Sequence, residues 1–518
     1  MKDATAVYSN LGAPLSASPR RATILMKQLL RPGLLAILAG LGLATVAQAQ
    51  QWEWVGGSST FTGDAGVYGK LGKASAGNSI GGRIGAVGWA DKSGNIWYFG
   101  GYGYDDGSNG EGDLNDLWKF NPTTSQWTWM KGNSWAWQNG TYGTKGTASS
   151  ANTPGARYSP AAWTDKSGNF WLFGGQGDDA DSNWGQLNDL WEFYPATNKW
   201  TWVGGSDTIG ANAAGTWYGV AGVYGTKGVF AAKNIPGSRD EATTWTDAKG
   251  NLWMFGGFGY YSTGNLGYFN DLWEFNSTSK QWAWIAGSSS VPSNGLGAAG
   301  VYGTKGKAAA ANTPGSRSYA NSWVDSSGNL WLFGGWGFDA KGLAGYMNDL
   351  WEFSASAKQW TWVSGSNSIG TVSDGPYGVY GTKGKAAASN VPGGRYASVS
   401  WTDTKGNFWL SGGVGYAQNI NWGELNDLWA FSPVTKQWSW EGGSNTLVMT
   451  TDGEYGQLGV YGKLKVSAAA NMPGGRESAT SVTDKSGNFW LIGGAGIDGS
   501  GNYGYLNDLW EVPMIPVP

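Results

Sequence analysis

From Trp52 onward, short apolar runs alternate with polar, glycine-rich turns, and the alternation recurs along the chain. One full copy runs from Gly155 to Gly205. Arg157 to Trp163-Thr-Asp165 reads as strand a, and the turn Asp165-Lys-Ser-Gly-Asn169 follows, its glycine able to take positive φ. Phe170 to Phe173 is strand b, apolar without interruption, as expected of a sheet covered on both faces. Gly174-Gly175 is expected to end it and turn the chain away. Asp189 to Phe193 reads as strand c. Trp200 to Val203 reads as strand d, its two tryptophans on one face and its threonine on the other.

The same parts recur six times. Trp-x-Trp begins at Trp52, Trp127, Trp200, Trp282, Trp360 and Trp438, and Asn-Asp-Leu-Trp at Asn115, Asn188, Asn270, Asn348, Asn426 and Asn507. The double glycine begins at Gly100, Gly174, Gly256, Gly334, Gly412 and Gly493. The register is offset: the first copy has only a strand d, Gln51 to Val55, and the last stops after strand c. The N-terminal strand therefore has to complete the C-terminal sheet, which removes the open edge. The expected fold is all-β, a six-bladed β-propeller of four-stranded antiparallel blades.

The order arginine, apolar strand ending in Gly-Gly, Asp-Leu-Trp-x-Phe and closing tryptophan resembles the kelch repeat, over Gln51 to Val512. That resemblance implies a propeller serving as a binding platform and, in some members, as an enzyme. The unit departs from the pattern in length, since Trp127 to Trp200 far exceeds the ~40–50 residues of familiar propeller repeats. The excess lies between strand d and the next strand a. It is itself repeated, as in Gly222-Val-Tyr224-Gly-Thr-Lys227-Gly and Gly300-Val-Tyr302-Gly-Thr-Lys305-Gly. Such sameness points to self-packed struts capping neighbouring blades.

Composition narrows the chemistry. Among 518 residues there are 88 glycines and 35 tryptophans, with only 14% charged residues and a net charge of −3. The signs are scattered, with no basic stripe for nucleic acid. Cysteine and histidine are both absent. Without them, Ser–His and Cys–His catalysis are excluded, and zinc, copper and haem sites lose their usual ligands. Carboxylate, tyrosine, lysine and arginine chemistry remains.

Ahead of the repeats, Met26 to Ala49 has a basic start at Lys27 and Arg31, an apolar run from Leu34 to Val46, and Ala47-Gln48-Ala49. This is the order of a secretory signal peptide. Residues 1–49 are thus expected to be removed, with Met26 a candidate start, leaving 50–518 as one exported domain. No membrane span is expected in that mature chain, and it is expected to be a monomer.

Two sets of candidate ligand-binding residues follow. Arg83, Arg157, Arg239, Arg317, Arg395 and Arg476 recur at the start of strand a, near the expected channel mouth. Either they draw acidic groups there, or they tie the blades together, for instance through the aspartate of Asn-Asp-Leu-Trp. The second set does not repeat. Asp240, Glu241 and Glu477 follow the arginines of the third and last units, and Tyr104, Tyr260, Trp336 and Tyr416 fall in the expected b–c loops. Rim aromatics stack on sugars or anchor protein partners. Paired carboxylates are the minimum for sugar acid–base chemistry, although opposite channel walls would separate them. The acidic turns Asp105–Asp113 and Asp178–Asn183 offer oxygens for calcium, yet their spacing fits ordinary acidic turns better. No other cofactor is expected.

The expectation is an exported, non-catalytic binding or adhesion propeller for a protein or glycan ligand. Two alternatives stay open: a carbohydrate-active enzyme resembling sialic-acid mutarotases, using acids and arginines, and a structural envelope component. A galactose-oxidase-like copper site is excluded by the missing histidines and cysteine.

Overall fold

The computed structural model describes residues 51–108, 110–210, 219–292, 296–370, 375–419, 422–450 and 453–513. The expected signal peptide lies outside them. Among the described residues the chain is all-β, without a helix, and is built from repeated antiparallel sheets consistent with a β-propeller.

In the second unit the main sheet has the order a–b–c–d, formed by Ala161–Thr164, Phe170–Phe173, Leu190–Tyr194 and Lys199–Gly204. Every residue of strand b is buried, as the continuous apolar run requires. The core sits between successive sheets. Trp89, Trp97 and Phe99 of the first unit pack with Phe170, Phe193 and Trp200 of the second, and Trp89 stacks on Phe170 at 5.2 Å. Burial of such large aromatic surfaces is the main stabilising term available to a chain with no disulfide.

The register closes as the sequence requires. Glu53–Gly56 pairs antiparallel with Tyr503–Val512, setting Trp54 opposite Trp510. A second closure runs through the innermost strands. Ser159 N–H donates to Gly85 O, Glu241 to Ser159, Tyr319 to Glu241, Ala397 to Tyr319, Ser478 to Ala397 and Gly85 to Ser478. These six backbone hydrogen bonds form an unbroken loop through six repeat units. All six residues have positive φ, five of them without being glycine.

That loop changes two expectations. Strand a is not continuous: Arg157–Tyr158 and Ala161–Thr164 are separated by the left-handed Ser159, which carries the link. In the first five units the double glycine does end the b strand, but it does not turn the chain away from pairing. Gly174 and Gly175 bend the ribbon at φ 63° and 95°, and a Cβ on Gly174 would lie 2.5 Å from the Arg239 carbonyl. The chain then resumes as Gln176–Asp178, paired with Arg157–Tyr158 on one side and Trp184–Gln186 on the other. Each of the first five units thus carries a second, three-stranded sheet beyond the glycines. In the last unit one strand, Phe489–Ile497, spans both.

The repeated inserts pack against the sheet they lead into. Ser149 bridges to Trp200, and Gly146 N–H donates to Trp202 O, covering the outer edge of strand d. Equivalent bridges join Ser75 to Trp127, Ala231 to Trp282, Ala309 to Trp360, Ala387 to Trp438 and Ala468 to Trp52.

Candidate functional site

Two adjacent rows of side chains differ sharply. In the first, Arg157 is fully buried. Its Nη1 and Nη2 donate to Asp189 Oδ1 and Oδ2 at 2.6 and 2.8 Å, Nη1 also to Gly174 O, and Nε to Gly155 O. Asp189 Oδ2 also accepts from Tyr142 Oη and Trp191 Nε1, each at 2.7 Å. Tyr142 comes from the insert and its ring lies 4.8 Å from that of Trp191. The unit is repeated at Arg83–Asp116, Arg239–Asp271, Arg317–Asp349, Arg395–Asp427 and Arg476–Asp508. A buried guanidinium needs a partner and all its donors satisfied, and the fork supplies both. Burial and the adjacent Asp189 charge push the Tyr142 hydroxyl well above its ordinary range.

The six arginines therefore do not line a ligand face. They lie inside the protein, each held by the aspartate of its own repeat, so the tie is within a unit. Tyr260 and Tyr416 also leave the rim. Both are buried, and a Cβ on Gly219 or Gly375 of the inserts would lie 2.2 or 2.3 Å from their rings. With Tyr104 and Trp336 they stand on strands of the second sheets rather than in loops. Tyr104 is half-buried against Tyr505, at 6.0 Å.

The second row follows directly after the arginines. In each unit it consists of the residue after the arginine, the residue after the double glycine, and the residue two before Asn-Asp. They are opposite one another in register, as in Ile84, Tyr102 and Asp113, or Asp240, Phe258 and Tyr268. Cross-strand partners share a face, so these three project together. Neighbouring units meet along the row: Tyr102 is 6.1 Å from Tyr158 and 6.0 Å from Tyr505, Tyr268 is 4.7 Å from Trp336, and Tyr346 is 5.6 Å from Tyr396. The row carries eight aromatics, the acids Asp113, Asp240, Glu424 and Glu477, and no lysine or arginine.

The acids in and beside the row are held in unusual states. Burial, against the pull of the Trp184 N–H and with the Asp178 charge adding, pushes Asp113 up to about 8. Burial, helped by the Asp179 charge, raises Asp178 to about 6. Glu241, in the hydrogen-bonded loop at φ 59°, is pushed up to about 7 by burial, although Ser318 and Tyr319 hydrogen-bond to it. The charge of Glu477 adds to that rise, so these two acids of the third and last units are near enough to interact. Asp240 and Glu424 are raised as well, by burial first and by Glu241 and Glu477 respectively. Asp113 Oδ1, Asp178 Oδ2, Asp240 Oδ1 and Glu424 Oε2 are buried and accept no hydrogen bond.

The acidic turns behave differently. Asp105 Oδ1 accepts from Gly107 and Gly110 N–H and Oδ2 from Ala136 N–H, while Asp179 accepts from Asp181, Asn183 and Ile209 N–H. Their oxygens organise the turn backbone and fasten the insert. Among the described residues no group of three acidic side chains converges as a metal site.

Asp113 and Asp178 entered the sequence reasoning only as ends of acidic turns, and Glu424, Tyr268, Tyr346 and Tyr505 were not singled out by it. Their signal was present: the position two before Asn-Asp reads Asp113, Gln186, Tyr268, Tyr346, Glu424 and Tyr505, varying beside an invariant motif. No protein-family model matches the chain, and no curated protein matches it.

Proposed function

We propose that the chain is an exported six-bladed propeller of the kelch type that binds a carbohydrate at the ring of aromatic and acidic residues beside the buried arginines, without catalysis. The N-terminal strand completing the last sheet and the six-membered backbone loop support the closed ring. The observation that carries the function is the row itself: invariant structural positions adjoin positions that vary among the units, and most of those are filled by aromatics and acids. Flat rings give stacking area for sugar faces, and carboxylates accept hydrogen bonds from hydroxyls. The absence of any unpaired cation in the row disfavours anionic ligands. For the same reason a mutarotase-type reaction relying on arginines loses support, since every arginine of the repeats is engaged by an aspartate.

A glycan panel with calorimetric titration tests this reading. A saccharide ligand is expected, and Trp336→Ala is expected to weaken it by about 1–2 kcal/mol, roughly tenfold. Absence of any saccharide ligand, or unchanged affinity after replacing both Trp336 and Tyr346 by alanine, would falsify it. Export is checked separately by sequencing the mature N-terminus, expected near Gln50.

A further inference from the structure

The acids of the ring are not equivalent, and one pair has unmet demands. Asp113 and Trp184 come from adjacent units, and Trp184 Nε1 donates to Asp113 Oδ2 at 2.7 Å. Asp178 stands opposite Trp184 in register. Asp113 Oδ1 and Asp178 Oδ2 are both buried without a donor, a costly state for a carboxylate unless something supplies hydrogens. Beyond the Trp184 N–H on Asp113 Oδ2, the described residues offer these two oxygens no donor. The neighbouring cation, Arg157, spends its guanidinium on Asp189, Gly174 and Gly155.

Aromatic side chains neighbour this pair, with Tyr102 opposite Asp113 in register. The Tyr102 ring lies 6.2 Å from Trp137 and 6.1 Å from Tyr158. Trp137 and Trp184 are among the few exposed tryptophans, at 44% and 40%, in a chain that buries most of its indoles. Trp137 is held in a left-handed backbone at φ 61°, lying over Gly112, where a Cβ would come 2.3 Å from its Nε1. A bulky residue kept at positive φ costs backbone strain, and here it sets an indole against Gly112 and Tyr102 with part of its ring open to solvent. Aromatic faces around anionic oxygens are the usual setting for an organic ammonium, which is attracted by the ring quadrupole and donates to the carboxylates. A hard metal ion fits poorly, because it needs six or more oxygens and only two carboxylates are offered.

Resting on the carbohydrate reading above, we infer that the ligand is a cationic amino sugar whose free ammonium group sits between Asp113 and Asp178, with its ring against Trp137 and Trp184. Because both carboxylates are buried while the two indoles are partly exposed, the ammonium end has to enter past the indole edges. N-Acetylation would remove the charge and two of the three donors, leaving the carboxylates unmet.

Calorimetric titration with three tetrasaccharides, of glucosamine, N-acetylglucosamine and glucose, tests this. The glucosamine tetramer is expected to bind at least tenfold more tightly than the other two. Asp113→Asn is expected to erase that preference, with retention of fold checked by circular dichroism. Asp178→Asn provides the same test should the first variant not fold. Equal or better binding of the acetylated or glucose tetramer, or a preference that survives both substitutions, overturns the ammonium site while leaving carbohydrate binding intact. Binding of no saccharide, with capture of a lysine-rich peptide instead, overturns the carbohydrate reading and this inference with it.

Discussion

Arg157 and Tyr158 are consecutive, yet they belong to opposite regimes. The arginine row is the same in all six units, fully enclosed, and each of its charges is matched by an aspartate with tyrosine and tryptophan donors around it. The row one residue on holds tyrosine, isoleucine, serine or acid, with four buried carboxylate oxygens on the acids of the ring and of Asp178 left without partners. Strand alternation separates them: successive side chains point to opposite faces, so one face closes the unit while the other meets its neighbours. Repetition therefore marks what holds each unit, and its failure marks the positions to which the proposed ligand site is assigned.

The sharpest way to break this contrast is to remove one aspartate of the repeated row. Asp271→Ala leaves the Arg239 guanidinium buried with only carbonyl acceptors, and Tyr224 and Trp273 lose their shared acceptor. The expected loss is about 3–5 kcal/mol, read by denaturant unfolding. A change below ~1 kcal/mol would mean that solvent reaches this site and that the row is not a closed structural unit.

Most of the scaffold was legible in the sequence, because it depends on periodic burial and on register. The Phe170–Phe173 run, the paired tryptophans and the missing first blade strands were enough to place strands b and d and the pairing of Glu53–Gly56 with the last sheet. The site was read less well, for two physical reasons. Double glycine signals a bend but does not say whether pairing resumes beyond it, so Tyr260 and Tyr416 were assigned to loops and a rim. Likewise, the identity of an arginine does not show whether its charge is spent: the aspartate of Asn-Asp-Leu-Trp was one of two partners the sequence offered, and it holds Arg157 within its own unit instead of tying neighbours. The left-handed link at Ser159 and Glu241 leaves no residue signature at all, since serine, alanine, tyrosine and glutamate fill it alongside one glycine.

The acids in and beside the variable row should show themselves in the pH dependence of stability. Glu241 titrates near 7 in the folded protein, against about 4 for an ordinary carboxyl. Between those values the folded state holds the proton more firmly than the unfolded chain. Stability contributed by this group is therefore present at low pH, declines as pH rises from about 4 to about 7, and stays lowered above that. Glu241→Gln is expected to flatten that decline and to stabilise the protein at pH 8 by roughly 1–2 kcal/mol. Melting curves from pH 4 to 8 read this directly. A steeper decline in the variant would show that the Glu241 charge is satisfied and belongs with the structural row.

The smallest effect on stability is expected at a residue whose loss should still weaken binding. Trp422 heads the same strand position as Trp184, is 43% exposed, and its ring lies 6.0 Å from Tyr346 instead of meeting an acid. Buried tryptophans such as Trp200 fill space between sheets, so their truncation opens a cavity. Trp422 fills none, and its truncation exposes little that was covered. Trp422→Ala is therefore expected to change unfolding by no more than about 0.5 kcal/mol while lowering saccharide affinity severalfold. The two measurements separate the alternatives. A loss of stability without a loss of binding would place Trp422 with the scaffold tryptophans, and would confine ligand contacts to the side of the ring that holds Asp113.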